Sequence, residues 1–324
     1  TTVVDGTLGV TLPNSLNAID SSATHGRNIV LNGDHTVDQE NAGAAVSLPV
    51  STDTYIVDGW IGNCVGATCT GQQVTGDVST KALRLTGTAG VTSLSTETRI
   101  ESLDAARLVN KTATFSVNVK NTLLTTATWT AYYADTADNF TTKTEIATGV
   151  ISLSATSTRQ SFSFNAGANA ANGISVVLSV GAQTSGTFTI ELAQLEDGSV
   201  ATNFEHLPYR MRLIRCQRYL FKCLATTAYA SLGVMGFSLS STQAQFYGNA
   251  PTSLRGAPTF SHSTNLPRYN NGAAGYAATA FTGSIIQGTT YALGITTSGM
   301  TGQVPGTLDS DAAGNVWYMF DSRL

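Results

Sequence analysis

Tyr132 and Tyr133 are consecutive in the chain, with Asp135, Asp138 and Asn139 a few residues beyond. Sugar recognition uses these residue types together: a flat aromatic ring covers the C–H face of a pyranose, and nearby carboxylates and amides bond its hydroxyls. Neighbouring residues of a strand point to opposite faces, so one of the two tyrosines must face outward. Tyr132, Tyr133, Asp135 and Asn139 are therefore the candidate glycan-binding residues. Tyr55, Trp60, Trp129 and Phe140 are further aromatics of the same region. Tryptophan is largely buried on average, and Trp60 is expected in the core.

Catalytic signatures are missing. Hydrolysis of a polysaccharide needs two carboxylates at a set separation across a cleft, and nothing in the spacing of Glu97, Glu101 and Glu145 sets one. No G-x-S-x-G turn occurs to expose a serine nucleophile, nor a phosphate loop or dinucleotide fingerprint. Asp34-His35 is suggestive only as a dipeptide. His25, His35, His206 and His262 lack paired ligand spacing, and neither cysteine pair has zinc-site form. Cys64 and Cys69 enclose only VGAT, close enough to bridge if their Cα atoms approach within ~7 Å, whereas a cytosolic site of assembly favours free thiols. Cys216 and Cys223 are too far apart along a helix or a strand to bond each other. The chain is expected not to be an enzyme.

These residues need β-strands to position them. Only 12% of the 324 residues are charged, well below the usual ~25%, yet 42% are hydrophobic and recur in alternation. That combination argues for folded β-structure rather than disorder. The length suggests two domains, or one large domain with an arm. A net charge of -4 gives no case for a nucleic-acid partner, and without a run of 18 apolar residues no membrane insertion is expected.

Residues 1–27 carry Val3-Val4 and Leu8-Gly9-Val10, broken by Gly6, Gly9 and Pro13. This cannot build a core and reads as an N-terminal attachment arm. Over 28–204 the expected strands are Asn28 to Leu31, Lys81 to Thr86, Ala113 to Lys120, Thr128 to Tyr133, Thr158 to Phe164, Gly173 to Val180 and Gly186 to Leu192. Short, evenly spaced strands of this kind point to a sandwich or jelly roll. At 205–218 the pattern changes to a helical junction: Pro208 suits a first turn, and Tyr209, Leu213, Cys216 and Leu220 follow at helical spacing. Arg210, Arg212, Arg215, Arg218 and Lys222 surround that stripe as an expected solvated basic face. Residues 219–324 form a second β-domain, punctuated by glycine and closed by a strand over Asn315 to Phe320.

The junction also carries a family resemblance. Gln194-Leu195-Glu196-Asp197-Gly198, then Ala201-Thr202-Asn203-Phe204-Glu205, Pro208-Tyr209 and Cys216-Gln217-Arg218-Tyr219, resembles a junction of bacteriophage tail-fibre and virion surface proteins. Asn28 to Asp34, the Tyr55/Asp58/Trp60 element, Pro251 with Leu254 to Thr259, and the closing Asp321-Ser322-Arg323-Leu324 are similar to further family segments. Leu207 departs from the family's usual basic residue, and Leu220 from its second aromatic. The resemblance implies an all-β chain: an N-terminal arm, a jelly-roll sandwich like a carbohydrate-binding module, a short connecting helix and a C-terminal β-sandwich domain. It also implies a homotrimer contacting bacterial surface glycans, and residues 1–27 are expected to meet other virion proteins. Calcium in such a module takes six to eight oxygens, and Asp34, Glu191 and Glu196, from the expected first and last strands, are the candidate ligands; no other cofactor is expected. No basic-then-apolar leader opens the sequence, so the virion surface is expected to be reached by assembly in the host cytoplasm and lysis. The leading reading is a tail-fibre or receptor-binding subunit. The alternatives are a capsid decoration protein or head fibre held by the arm, and a tail-spike depolymerase.

Overall fold

The computed structural model describes residues 3–5, 9–11 and 26–324. Within the expected arm, Val3–Asp5 and Gly9–Thr11 pair antiparallel with Val4 opposite Val10; the other arm residues up to 25 lie outside the described ones.

Two six-stranded sheets form the first sandwich. In hydrogen-bonded order one runs Asn139–Ser152, Thr126–Thr136, Ile174–Val180, Ser93–Ile100, Trp60–Val65 and Thr54–Val57. The other runs Thr158–Asn165, Thr112–Asn121, Thr187–Asp197, Ala82–Thr86, Cys69–Val74 and Val46–Leu48. The named strand pairs are antiparallel, and the chain repeatedly switches sheets, as in a jelly roll. Alternation drives the arrangement: Ala113, Phe115, Val117 and Val119 of one strand all enter the core. Across the sandwich the Trp129 ring stacks on Phe162 at 3.8 Å, and within its own sheet Phe162 stacks on its register partner Phe115 at 5.2 Å. Trp60 is also buried, as expected.

Two expected strands differ. Asn28 to Leu31 is not a strand. The Asn28 side chain replaces a ladder partner: its Oδ1 accepts from Val30 N and Leu195 N at 2.9 and 3.2 Å. The segment still lies against the last strand, with Ile29 N donating to Leu195 O at 3.1 Å. That last strand passes Leu192 and continues to Asp197. A bulge permits this: the register shifts between Glu191 and Gln194, and Leu192 takes φ 49.

The junction residues close a polar circuit around the chain's entry to the sandwich. Glu205 accepts from Gly26 N and Asn28 N at 2.6 and 2.7 Å, and its own N–H donates to Gln194 Oε1 at 2.8 Å. Buried Glu196 accepts from Thr202 N and Thr202 Oγ1 at 2.8 and 2.6 Å and pairs with Arg27 at 3.3 Å.

Helix Tyr209–Gln217 follows, with Pro208 at its N-cap. Of the expected stripe, Tyr209 is 54% exposed and Cys216 is buried, while Leu220, also buried, lies beyond the helix on the following strand Leu220–Ala225. The basic residues are not simply a solvated face. Arg212 pairs with Asp34, Arg218 forks onto Glu101 at 3.0 and 3.2 Å, and Lys222 Nζ donates to the Glu40 carbonyl at 2.5 Å. The cations thus fasten the joint to the first sandwich, and Arg210 remains exposed.

The C-terminal sandwich packs a three-stranded sheet, Leu220–Ala225, Val316–Asp321 and Thr259–His262, against a seven-stranded one. The latter runs Gly275–Ala277, Arg268–Asn270, Pro305–Asp309, Ser231–Ser238, Gln243–Asn249, Thr290–Thr296 and Ala280–Gln287. Phe246, Tyr291, Leu293, Tyr318 and Phe320 fill its core, and the Tyr291 and Tyr318 hydroxyls share a hydrogen bond of 2.7 Å. The chain's last residues return to the first sandwich. Arg323 lies 4.0 Å over the Tyr55 ring and pairs with Glu40, and Tyr55 OH donates to Leu324 O at 2.7 Å. Tyr55→Phe is expected to lower the unfolding free energy by about 1 kcal/mol, the worth of one such bond, read as a lower denaturant midpoint. Among the described residues no helix is long and apolar enough to cross a membrane.

Candidate functional site

The outward face of the six-stranded sheet containing Thr126–Thr136 carries an array of charged and polar side chains. On Ser93–Ile100 the inward Leu94 and Ile100 alternate with outward Ser95, Glu97 and Arg99. Register places Arg99 opposite Ser175 and Ser175 opposite Tyr132, so arginine and tyrosine lie in one row. Glu97 lies in the adjacent row between Ile61 and Val177.

The charges there form one chain. Lys143 Nζ donates to Glu97 Oε2 at 2.8 Å and stands 4.9 Å over the Tyr132 ring. Arg99 Nε donates to Glu97 Oε1 at 3.1 Å, and its Nη2 to Asp53 Oδ2 at 2.8 Å. Asp53 Oδ1 in turn accepts from Asn63 Nδ2 at 2.8 Å. Arg99 Nη1 donates to Leu324 O at 2.8 Å, so the second domain closes one end of the array. Burial disfavours the Arg99 cation, but Glu97, Tyr55 and Asp53 outweigh it and raise its pKa above the usual value. Between these groups lies a groove of about 340 Å³, lined also by Ile61, Phe140 and Val177. It offers an aromatic ring, ammonium and guanidinium donors, and carboxylate acceptors to one ligand. Both oxygens of Glu97 are engaged by cations, Oε1 by Arg99 and Oε2 by Lys143.

The sequence candidates separate in space. Tyr132 belongs to this groove, half-buried. Tyr133, also half-buried, points by alternation to the other side of its strand. Asp135 and Asn139 are exposed near the hairpin turn: Asp135 accepts from Thr144 Oγ1 at 2.7 Å, and Asn139 Oδ1 from Thr141 N at 3.0 Å. Sequence reasoning passed over Arg99, Lys143, Asp53 and Asn63 as binding residues and named Glu97 only as an unpaired carboxylate. The alternation of Ser95, Glu97 and Arg99 was the signal available.

Asp34, Glu191 and Glu196 are not gathered into one cluster; among the described residues no group of three or more His, Cys, Asp or Glu side chains has metal-holding form. Asp34 pairs with Arg212, and Glu196 with Arg27 and Thr202. Glu191, fully buried, accepts from Val78 N, Ser79 N, Ser79 Oγ and Ser157 Oγ at 2.9 to 3.1 Å. All four cysteines are free; burial and the neighbouring Cys64 thiol push Cys69 up to about 11.

No family model and no curated protein matches the chain. Solved structures do resemble it. A CBM4 structure is 13% identical, with 52% of this chain and 99% of that chain covered and a TM-score of 0.35. A putative sugar binding protein from Bacteroides thetaiotaomicron is 12% identical, covering 53% and 100%, at 0.35. The enzymatically active domain of bacteriophage CBA120 tailspike protein 4 is 14% identical, covering 53% and 22%, at 0.31. At such scores the function has to be read from the chain's own residues.

Proposed function

We propose that this chain is a non-catalytic glycan-binding subunit of a bacteriophage virion, a homotrimeric tail fibre or receptor-binding protein that touches bacterial surface sugars. The observation that carries the binding half is the outer-sheet groove, where Tyr132, Lys143, Glu97, Arg99, Asp53 and Asn63 converge. A sugar offers apolar C–H faces and hydroxyls that both donate and accept, and this set answers each. The virion half is supported by the junction residues Gln194 to Tyr219, which resemble those of phage surface proteins. Weak single sites gain strength from the many copies on a particle.

Two measurements divide the proposal. Cryo-electron microscopy of intact particles is expected to show three copies at the tail, with residues 1–27 against a neighbouring virion protein; density on the head would remove the tail-fibre role. A bacterial glycan array probed with the intact chain is expected to give selective binding, and a uniformly blank array counts against the groove. In the same assay Lys143→Ala, which removes one donor at the groove's rim, is expected to weaken binding about fivefold.

A further inference from the structure

The outer face of the C-terminal seven-stranded sheet holds a second recess, of about 360 Å³, of a different chemical character. Its construction follows from register. Gln245 stands opposite Gly294 and Gly294 opposite Thr282, while Tyr247 stands opposite Ala292 and Ala292 opposite Ser284. A third row is Gln243, Thr296 and Ala280. The middle strand therefore presents only Ala292, Gly294 and Thr296, a floor of small residues. The walls are Gln243 and Gln245, with Leu239, on one side and Ala280, Thr282 and Ser284 on the other; Tyr247, 41% exposed, follows Gln245 on the same face just beyond the recess. Phe237, 40% exposed and opposite Gln245, lies beside that wall on the next strand.

No charged side chain lines this trough. A charged ligand would be partly desolvated there without a counter-charge, a costly placement. A peptide docking as an added strand needs free backbone N–H and C=O groups, whereas the floor strand is laddered on both sides. What remains is a line of amides and hydroxyls that donate and accept, beside aromatic rings. We infer that this trough is a separate binding site for an uncharged oligosaccharide, distinct from the charged groove of the first sandwich. The inference does not depend on the first groove binding sugar.

The test is isothermal titration of the intact chain with cellotetraose, xylotetraose and mannotetraose, repeated on three variants. Gln245→Ala removes a wall amide. Gly294→Ala raises the floor, and its new Cβ meets only Thr282 Oγ1, at 2.9 Å. Tyr132→Ala disables the first groove alone. Saturable binding to at least one tetrasaccharide is expected, weakened about tenfold by Gln245→Ala and by Gly294→Ala and untouched by Tyr132→Ala. Should Gly294→Ala fail to fold, half-buried Gln245 still decides the matter. Absence of binding to all three sugars overturns the inference. So does binding that only Tyr132→Ala removes, which would instead support the first groove. Light scattering supplies the last check: a smaller particle on Met235→Asp, at a residue 70% exposed on the same face, would show that another copy covers the trough and would also overturn it.

Discussion

Replacing His35 with phenylalanine is expected to make the chain more acid-resistant, widening its stability advantage over the parent by about 3 kcal/mol between pH 7.5 and pH 4. His35 is fully buried against Trp60, with ring centroids 4.7 Å apart, and neither ring nitrogen has a partner. Burial pushes its pKa down from 6.5 to about 3. The unfolded chain therefore binds the extra proton between those values, and His35's contribution is whole above pH 6.5 and lost as the pH falls toward 3. Asp58 works the other way. Burial raises it from 3.8 to about 6, against hydrogen bonds from Gln39, so acidification through that range favours the folded state. The two titrations oppose each other in the parent, which is why the comparison must be between variant and parent. Urea unfolding at both pH values measures it; an equal variant–parent difference at pH 7.5 and 4 would contradict the burial account. Comparing the same pair at two pH values also removes any fixed cost of placing phenylalanine at φ 54.

Glu191→Gln is expected to cost about 3 kcal/mol at neutral pH. The carboxylate is fully buried and receives two backbone N–H groups and two hydroxyls, while an amide would turn its own NH2 toward some of them. Hydrogen bonds to a charged acceptor are the stronger kind, and donors left unpaired in the interior keep their full desolvation cost. The same satisfaction bears on calcium. A chelator is expected to leave the thermal midpoint of the parent unchanged, since Glu191, Glu196 and Asp34 each meet protein donors. A fall of several degrees on chelation would restore a metal to the first sandwich.

Much of the scaffold was legible because alternation with period two is a local signal. The strands expected over Lys81 to Thr86 and Ala113 to Lys120 needed only local alternation, and the Pro208 helix start needed only neighbouring residues. The failures were long-range. Asn28 to Leu31 looks like a strand, yet the Asn28 side chain takes over the pairing, and only the fold brings Leu195 to it. The basic run at 210–222 looks solvated until Asp34 and Glu101 arrive from far upstream. The groove is the extreme case. One of Tyr132 and Tyr133 was readable as an outward aromatic, but the companions of Tyr132, namely Asp53, Asn63, Glu97, Arg99 and Lys143, come from three strands and a loop. Sequence spacing holds no record of that convergence, because cross-strand register creates it.

One titration tests most directly whether the first sandwich grips sugar on its outer sheet. A glycan selected from the array would be titrated into the parent, Tyr132→Ala and Glu97→Gln, with thermal midpoints recorded for each. Binding is expected to weaken at least about tenfold in both variants, with Tyr132→Ala unfolding within a few degrees of the parent because its ring is only half-buried. Undiminished affinity in both variants, at unchanged stability, would contradict the claim and move the search to another face of the chain.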